Sequence, residues 1–304
     1  MILSSRARGV LLTLLAACGL SLGGVLVRHA DGTAWEIVFW RSLTMSLVLA
    51  IFLGIQHGTG LVREVRRTGW AGLVCGLFLA GTFFGFVLAI QSTTVANVVV
   101  IMSTTPFWAA VFGRLVLGEP VGRRTWIALA FGALGVVIMC WDSLETQSGF
   151  IGNLFALGLA VCYAGHLVTL RVVGNRVDMV PSVLIAALIA IVVALPLAWP
   201  PLATSPRTLT VALIMGTVQV GLPLILVTMA ARYLAAAEVA LLAMLEVILG
   251  PLWVWLVLGE RPTALALAGG VLVIGALLGN TLASFSLRPG TAPATVRQRG
   301  GASA

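Results

Sequence analysis

The pentapeptide Leu115-Val116-Leu117-Gly118-Glu119 recurs unchanged as Leu256-Val257-Leu258-Gly259-Glu260, 141 positions on (115 to 256), and each copy closes a long apolar run. A chain with this pattern reads as two copies of one unit, and a unit made of apolar segments has few folds open to it. In hydrocarbon every backbone polar group needs a partner inside the protein, so only helices and closed barrels cross a bilayer. Apolar segments of about 20 residues select helices. Internal duplication in such a chain points to transport, because two related bundles can form a binding site between them near the bilayer midplane.

Composition agrees. The 304 residues are 60% hydrophobic and 9% charged, against about 25% charged in a soluble domain. The net charge of +8 is carried by arginines scattered between apolar runs. They form no basic face, so nucleic acid is not the expected partner. Cys18, Cys75, Cys140 and Cys162 lie inside apolar segments without CxxC or Cys/His spacing, and His29, His57 and His166 are dispersed. Neither a disulfide framework nor a metal site is expected, and no cofactor. Leu15-Ala16-Ala17-Cys18 has the look of a lipoprotein cleavage box, but apolar sequence runs on to Val27, so the first segment is read as a permanent helix.

Gly, Pro and charge clusters divide the chain into ten expected spans, near 9–28, 34–54, 70–89, 95–117, 125–141, 150–170, 181–199, 209–230, 235–258 and 263–284. The expected fold is an all-α integral membrane protein of ten transmembrane helices. Offset matches extend the duplication: Ala96 and Val98 to Ala237 and Val239, and Gly9 and Arg28 to Gly152 and Arg171. The repeat unit is therefore five helices, 9–141 and 150–284, followed by an expected disordered cytoplasmic tail, 285–304. Five is odd, so the copies enter the membrane from opposite sides and form an inverted repeat. With the N-terminus inside, Arg6, Arg8, Arg63, Arg66, Arg67, Arg123, Arg124, Arg171, Arg176, Arg232, Arg288, Arg297 and Arg299 fall on the cytoplasmic side. Only Arg28, Arg207 and Arg261 fall in outer loops. The positive-inside rule then places both termini in the cytoplasm.

Ala96-Asn97-Val98 through Thr105-Pro106-Phe107-Trp108 to Leu117-Gly118-Glu119-Pro120 resembles the fourth-helix signature of the EamA branch of the drug/metabolite transporter superfamily. Ala237-Glu238-Val239 through Leu245-Glu246 to Leu258-Gly259-Glu260-Arg261 resembles its second copy, and Phe39-Trp40-Arg41 the arginine near the start of helix 2. The sequence departs from that pattern at Val247, where the second copy usually has proline; Pro251 follows four residues later. The resemblance implies a ten-helix bacterial inner-membrane transporter, typically an exporter of amino acids or related small metabolites. It leaves the substrate open, since members also handle nucleosides, vitamins and metal-chelating metabolites, and some import.

Polar side chains within the bilayer are costly and each asks for a reason. Glu246, halfway along helix 9, can carry a proton or serve helix packing; Thr105 is its repeat mate. Arg41 can snorkel outward, pair with Glu36, or reach a substrate anion. Tyr163 and His166 share one face of helix 6, suited to a zwitterionic or aromatic ligand or to plain hydrogen bonding. Gln219 near Pro223, and Asn97 with Gln91 by the turn between helices 3 and 4, can bind substrate or join helices. Trp108 and Phe107 can wall a cavity or simply pack. Glu119 and Glu260 at helix ends, with Pro106 and Pro251, are read as structural or gating residues. The expected partners are a small-molecule substrate, membrane lipids and, as a candidate co-substrate, protons, in a monomer or weak homodimer.

A membrane enzyme would need clustered acids, histidines or a nucleophile–base pair, and no HExxH, Asp-rich or Gly-x-Ser-x-Gly motif occurs. The absence of a Walker A motif disfavours ATP-driven transport. A lipid or lipid-linked-sugar flippase shares the architecture and stays as the alternative.

Overall fold

The computed structural model describes residues 5–118, 123–141, 147–173, 177–200, 203–230, 245–259 and 263–286, with Tyr233 and Leu242. Among these residues the regular structure is helical: α1 (Ser5–Ser21), α2 (Gly23–His29), α3 (Ala34–His57), α4 (Leu61–Arg67), α5 (Gly69–Ser92), α6 (Val95–Met102), α7 (Thr105–Leu117), α8 (Arg123–Cys140), α9 (Gln147–Val173), α10 (Pro181–Ala194), α11 (Pro206–Ile214), α12 (Leu222–Ala230), α13 (Leu245–Leu258) and α14 (Ala264–Ser286). A π-helical turn, Met215–Gly221, joins α11 to α12. Six helical stretches are long and apolar enough to cross a membrane: Ala7–His29, Ala34–His57, Gly69–Ser92, Val95–Leu117, Gly149–Val173 and Pro206–Val227. Shorter apolar helices at Trp126–Ile138, Pro181–Ala194, Leu249–Leu258 and Leu267–Ala276 lie where the other expected spans fall. Glu119, Glu260, Arg261, most of 231–244 and the tail from 287 lie outside the described residues.

Local chemistry sets the helix ends. Thr33 and Glu36 form a reciprocal capping box at the start of α3. Thr94 caps α6 through the Asn97 amide, and Ser205 caps α11 ahead of Pro206. The repeated pentapeptide works as a terminator in both copies: Gly118 and Gly259 follow the last helical residue with φ of 68° and 69°, the left-handed conformation that only glycine adopts without penalty. The seventh expected span, drawn to 199, stops at Ala194, two residues ahead of Pro196, which has no N–H to bond the Val192 carbonyl and whose ring crowds that carbonyl.

Three of the long spans are interrupted. The first breaks at Leu22, whose N–H bonds the Gly19 carbonyl one residue short of helical register (3.3 Å). The fourth breaks at Ser103–Thr104. Pro106 cannot donate to the Met102 carbonyl, and the Thr105 hydroxyl donates to it instead (2.6 Å). The eighth widens into the π turn just before Pro223, where the extra residue removes the clash between a proline ring and the carbonyl four positions back.

Hydrogen bonds fix which helix ends meet. Arg28 donates to the Thr93 carbonyl, Gln91 to the Gly32 carbonyl, and the Asp31 and Gly32 amides to the Thr208 hydroxyl. The C-terminal ends of α2 and α5 therefore share one end of the bundle with the N-terminal ends of α3, α6 and α11. At the opposite end Ser182, opening α10, lies against Cys75 of α5. Within the bundle α5 packs on α9 and α10, α10 on α3, α3 on α11 and the π turn, α1 on α12 and α13, and α9 on α6 and α7; α8 and α14 pair with each other. The apolar core between these helices includes Ile37, Met45, Leu49, Ile90 and Val98.

Candidate functional site

The interrupted helices meet. Gln219, in the π turn and 5% exposed, donates from Nε2 to the Leu20 carbonyl at the break between α1 and α2 (3.2 Å). Only the amide NH2 can donate to a carbonyl, so Oε1 points elsewhere, and it is buried without a partner among the described residues. Gly23 makes the approach possible, because a Cβ there would meet Gln219 Nε2 and the Phe86 ring at 2.9 Å. Trp253 of α13 braces the same break by donating to the Ser21 hydroxyl (3.1 Å). Side chains from two other spans thus hold the break, Gln219 through the Leu20 carbonyl and Trp253 through the Ser21 hydroxyl.

Arg41 sits beside this junction. Its backbone carbonyl presses on Gly216 in the π turn, and its guanidinium lies over the Phe83 ring, 4.9 Å from the centroid. Phe86, which touches Gly23, is three residues from Phe83 and shares its helix face. The Arg41 side chain is 2% exposed, so it does not snorkel, and Glu36 is committed to its capping box rather than paired with it. Nε is buried with no hydrogen-bond partner among the described residues, as is the adjacent Ser42 hydroxyl. An uncompensated buried charge costs roughly 3–5 kcal/mol, and among the described residues the Arg41 guanidinium forms no ion pair and rests on an aromatic face. Arg41 Nε, Ser42 Oγ and Gln219 Oε1 together leave donor and acceptor capacity unused inside the bundle.

Other candidates are already engaged. His166, 7% exposed, places Nδ1 3.1 Å from Cys75 Sγ and 3.3 Å from the Cys75 carbonyl, and Ser182 donates to the same sulfur at 3.6 Å. Tyr163 stacks on His166 with ring centroids 6.0 Å apart and planes within 8°. Asn97 donates to Thr93 Oγ1 and Asn153 Oδ1, both at 3.3 Å, joining α6 to α9. Gln91 is tied to the Gly32 carbonyl. The Thr105 proton is spent on its own helix. His29 and His57 bond carbonyls of their own helices, and no cluster of three His, Cys, Asp or Glu exists among the described residues. The cysteines Cys18, Cys75 and Cys162 are free.

Trp108 and Phe107 line a different space, an apolar groove of about 530 Å³ between α7 and α8 that also takes in Thr104, Trp126 and Leu157. A Cβ at Gly132 would overlap the Phe107 ring, so α7 and α8 touch there and diverge below. Sequence reasoning missed Phe83, Phe86 and Trp253. Their only signal was indirect: the Gly19, Gly23 and Gly24 cluster marked where other helices come closest to the first span.

Broken spans meeting around unpaired polar groups are the pattern of a transporter core, and the sequence comparisons decide it. Residues 7–141 and 150–282 match the EamA-like transporter family. The chain belongs to that family. It is a multi-pass membrane protein of the drug/metabolite transporter superfamily, and its known relatives are transporters rather than enzymes. The pseudopaline exporter CntI of Pseudomonas aeruginosa is 30% identical over 284 residues, 91% of this chain and 97% of its own. The uncharacterized transporter YdfC of Bacillus subtilis is 24% identical over 65% of this chain and 67% of its own, and mouse solute carrier family 35 member G1 is 28% identical over 58% and 50%. A crystal structure 17% identical superposes with a TM-score of 0.61 over 93% of this chain and 100% of its own, a likeness of fold.

Proposed function

We propose that this protein is a secondary transporter that exports small metabolites, amino acids or related amphipathic compounds bearing an anionic group, across the bacterial inner membrane by alternating access. The reading takes the fold as ten spans in two inverted five-helix repeats, 9–141 and 150–284, with both termini cytoplasmic. The packing pattern supports it. Exchanging each span with its repeat mate turns α5 on α9 into α12 on α1, α5 on α10 into α11 and the π turn on α3, and α6 and α7 on α9 into α13 on α2 and α1. The pairs α3 with α10, α6 with α13 and α8 with α14 map onto themselves. A pseudo-twofold in the membrane plane produces that relation, and rocking about it opens a central site to either side.

The observation that carries the function is the buried Arg41 guanidinium, which has no counter-ion among the described residues, beside the junction of two interrupted helices. A permanent partner would fix the charge; its absence suits a ligand that brings a carboxylate and leaves with it. Glu246, a mid-span carboxyl able to gain and lose a proton, is the proposed coupling group. Efflux and counterflow of radiolabelled amino acids, nucleosides and vitamins from proteoliposomes, with and without an imposed pH gradient, test both parts. Transport that follows the gradient in the wild type and becomes gradient-independent in Glu246→Gln supports proton coupling. Transport of cationic or neutral substrates only, unaffected by Arg41→Gln, would sink the anion reading. Flipping of fluorescent phospholipid with no solute transport would favour the alternative, a flippase, to which the lateral groove lends its single supporting observation.

A further inference from the structure

The apolar groove lies apart from the Arg41 junction and the transport reading leaves it without a role. Its α7 wall is Phe107, Trp108 and Val111, and its α8 wall includes Trp126, Ala130 and Val137. Both walls continue along the same helix faces into a cation. Arg114 follows Val111 by three residues and Arg123 precedes Trp126 by three, so each shares its helix face with the groove. Both arginines are exposed, and neither helix carries an acidic residue. A five-residue connection, 118–122, which includes Glu119, joins the two helices, so both cations lie toward the same end of the pair.

The dimensions are those of one leaflet. From Trp126 to Val137 the helix rises about 16 Å, roughly half of the 30 Å hydrocarbon thickness. Trp126, half-exposed, sits one turn inside Arg123, where an amphipathic ring belongs at the boundary between headgroups and chains. A slot of this length, lined by carbon, fits an extended acyl chain. Two arginines at its mouth fit the phosphate at the head of that chain.

We propose that the groove between α7 and α8 is a binding site for an anionic phospholipid, its phosphate held by Arg114 and Arg123 and one acyl chain seated against Phe107, Trp108 and Trp126. The lipid fills the space left where α7 and α8 diverge and ties the peripheral helix α8 to the spans that carry the site. The proposal concerns surface groups that the transport mechanism does not use, so it stands or falls separately from it.

The test titrates the detergent-purified full chain with dioleoyl phosphatidylglycerol and, separately, dioleoyl phosphatidylcholine, counting bound lipids by native mass spectrometry. The wild type is expected to hold one phosphatidylglycerol well ahead of phosphatidylcholine. Arg114→Gln and Arg123→Gln each lower phosphatidylglycerol affinity about fivefold, and together about 25-fold, with a smaller loss for phosphatidylcholine, whose choline cation already offsets its phosphate. Ala133→Phe, which fills the groove, removes the tight site for both lipids; Ala130→Val, a milder filling, weakens it severalfold should the larger ring disturb folding. Phosphatidylglycerol binding that survives the double arginine substitution overturns the proposal. So does equal competition by water-soluble glycerol phosphate, which would make the arginines a free anion site with no use for the groove.

Discussion

Two seams of the bundle exchange under the proposed pseudo-twofold, and they differ in how their polar groups are used. In the seam of α5, α9 and α10 the helices run unbroken, and Cys75 contacts both His166 and Ser182, joining three spans. In its counterpart, α1–α2 is broken, the eighth span carries a π turn, and α3 presents Arg41 and Ser42 with buried atoms that have no partner among the described residues. A helix with all its backbone bonds made has nothing to offer a ligand. Breaking it exposes carbonyls, and these can be shared between a stabilising amide, as Leu20 is with Gln219, and a passing substrate. The first seam is therefore read as a rigid scaffold and the second as the place where ligand chemistry is held open.

The strongest challenge to that comparison is Arg41→Gln. Loss of a buried charge pair with the ligand is expected to lower transport of an anionic substrate roughly 100-fold or more. The ligand-free melting temperature should hold or rise, because a buried cation with no partner costs stability rather than adding it. Counterflow in proteoliposomes and thermal melting in detergent read the two effects. A variant that melts much earlier but still transports would make Arg41 structural and erase the difference between the seams.

His166→Ala reverses the pattern. It removes a buried ring, strips Cys75 of its neighbour and leaves a cavity between α5 and α9, at a cost of about 2–3 kcal/mol. Ser182→Ala should cost about 0.6 kcal/mol, the usual worth of one interhelical hydrogen bond in a bilayer. Below the melting transition both variants are expected to keep transport within a few fold of wild type. A large transport defect in a stable His166→Ala protein would move the imidazole from scaffold to site.

Gln219→Leu sharpens the other seam. It removes the donor to Leu20 and the unpartnered Oε1 together while roughly keeping the volume. Transport should fall about tenfold, the equivalent of one lost hydrogen bond of 1.4 kcal/mol, with a stability loss near 1 kcal/mol. A stability loss several times larger, with transport at the wild-type rate, would mean that the amide serves only to close the break.

Much of this was legible beforehand, and the reasons are physical. Repeated apolar segments, the Gly-Glu terminators and the Thr105-Pro106 step carry local rules: burial sets length, glycine sets the left-handed end, and a hydroxyl next to proline replaces the missing amide. The break at Leu22 is different. No proline lies there, and the interruption follows from Gly19, Gly23 and Gly24 yielding to Pro223, Gln219 and Val95 on distant spans. Which of several buried polar residues would be satisfied was equally hidden, because His166 and Asn97 find partners 91 and 56 positions away. Arg41 stood out in the sequence as a charge in a span, but Phe83 beneath it did not, since one phenylalanine among twelve bears no mark.

The smallest expected effect tests the likeness that underlies the comparison. Gly118 and Gly259 end α7 and α13 with nearly the same φ, and a Cβ at either would meet nothing within 4 Å. Alanine there suffers only from the left-handed backbone, at about 1 kcal/mol, so Gly118→Ala and Gly259→Ala should lower stability by equal amounts and leave transport unchanged. Urea unfolding in mixed micelles resolves such a difference. Equal losses mean that the two pentapeptides are one device used twice, and that the halves diverge only where helices break. A markedly larger loss for one would show that its connection has taken on contacts the other lacks, carrying the asymmetry of the seams out to the membrane surface.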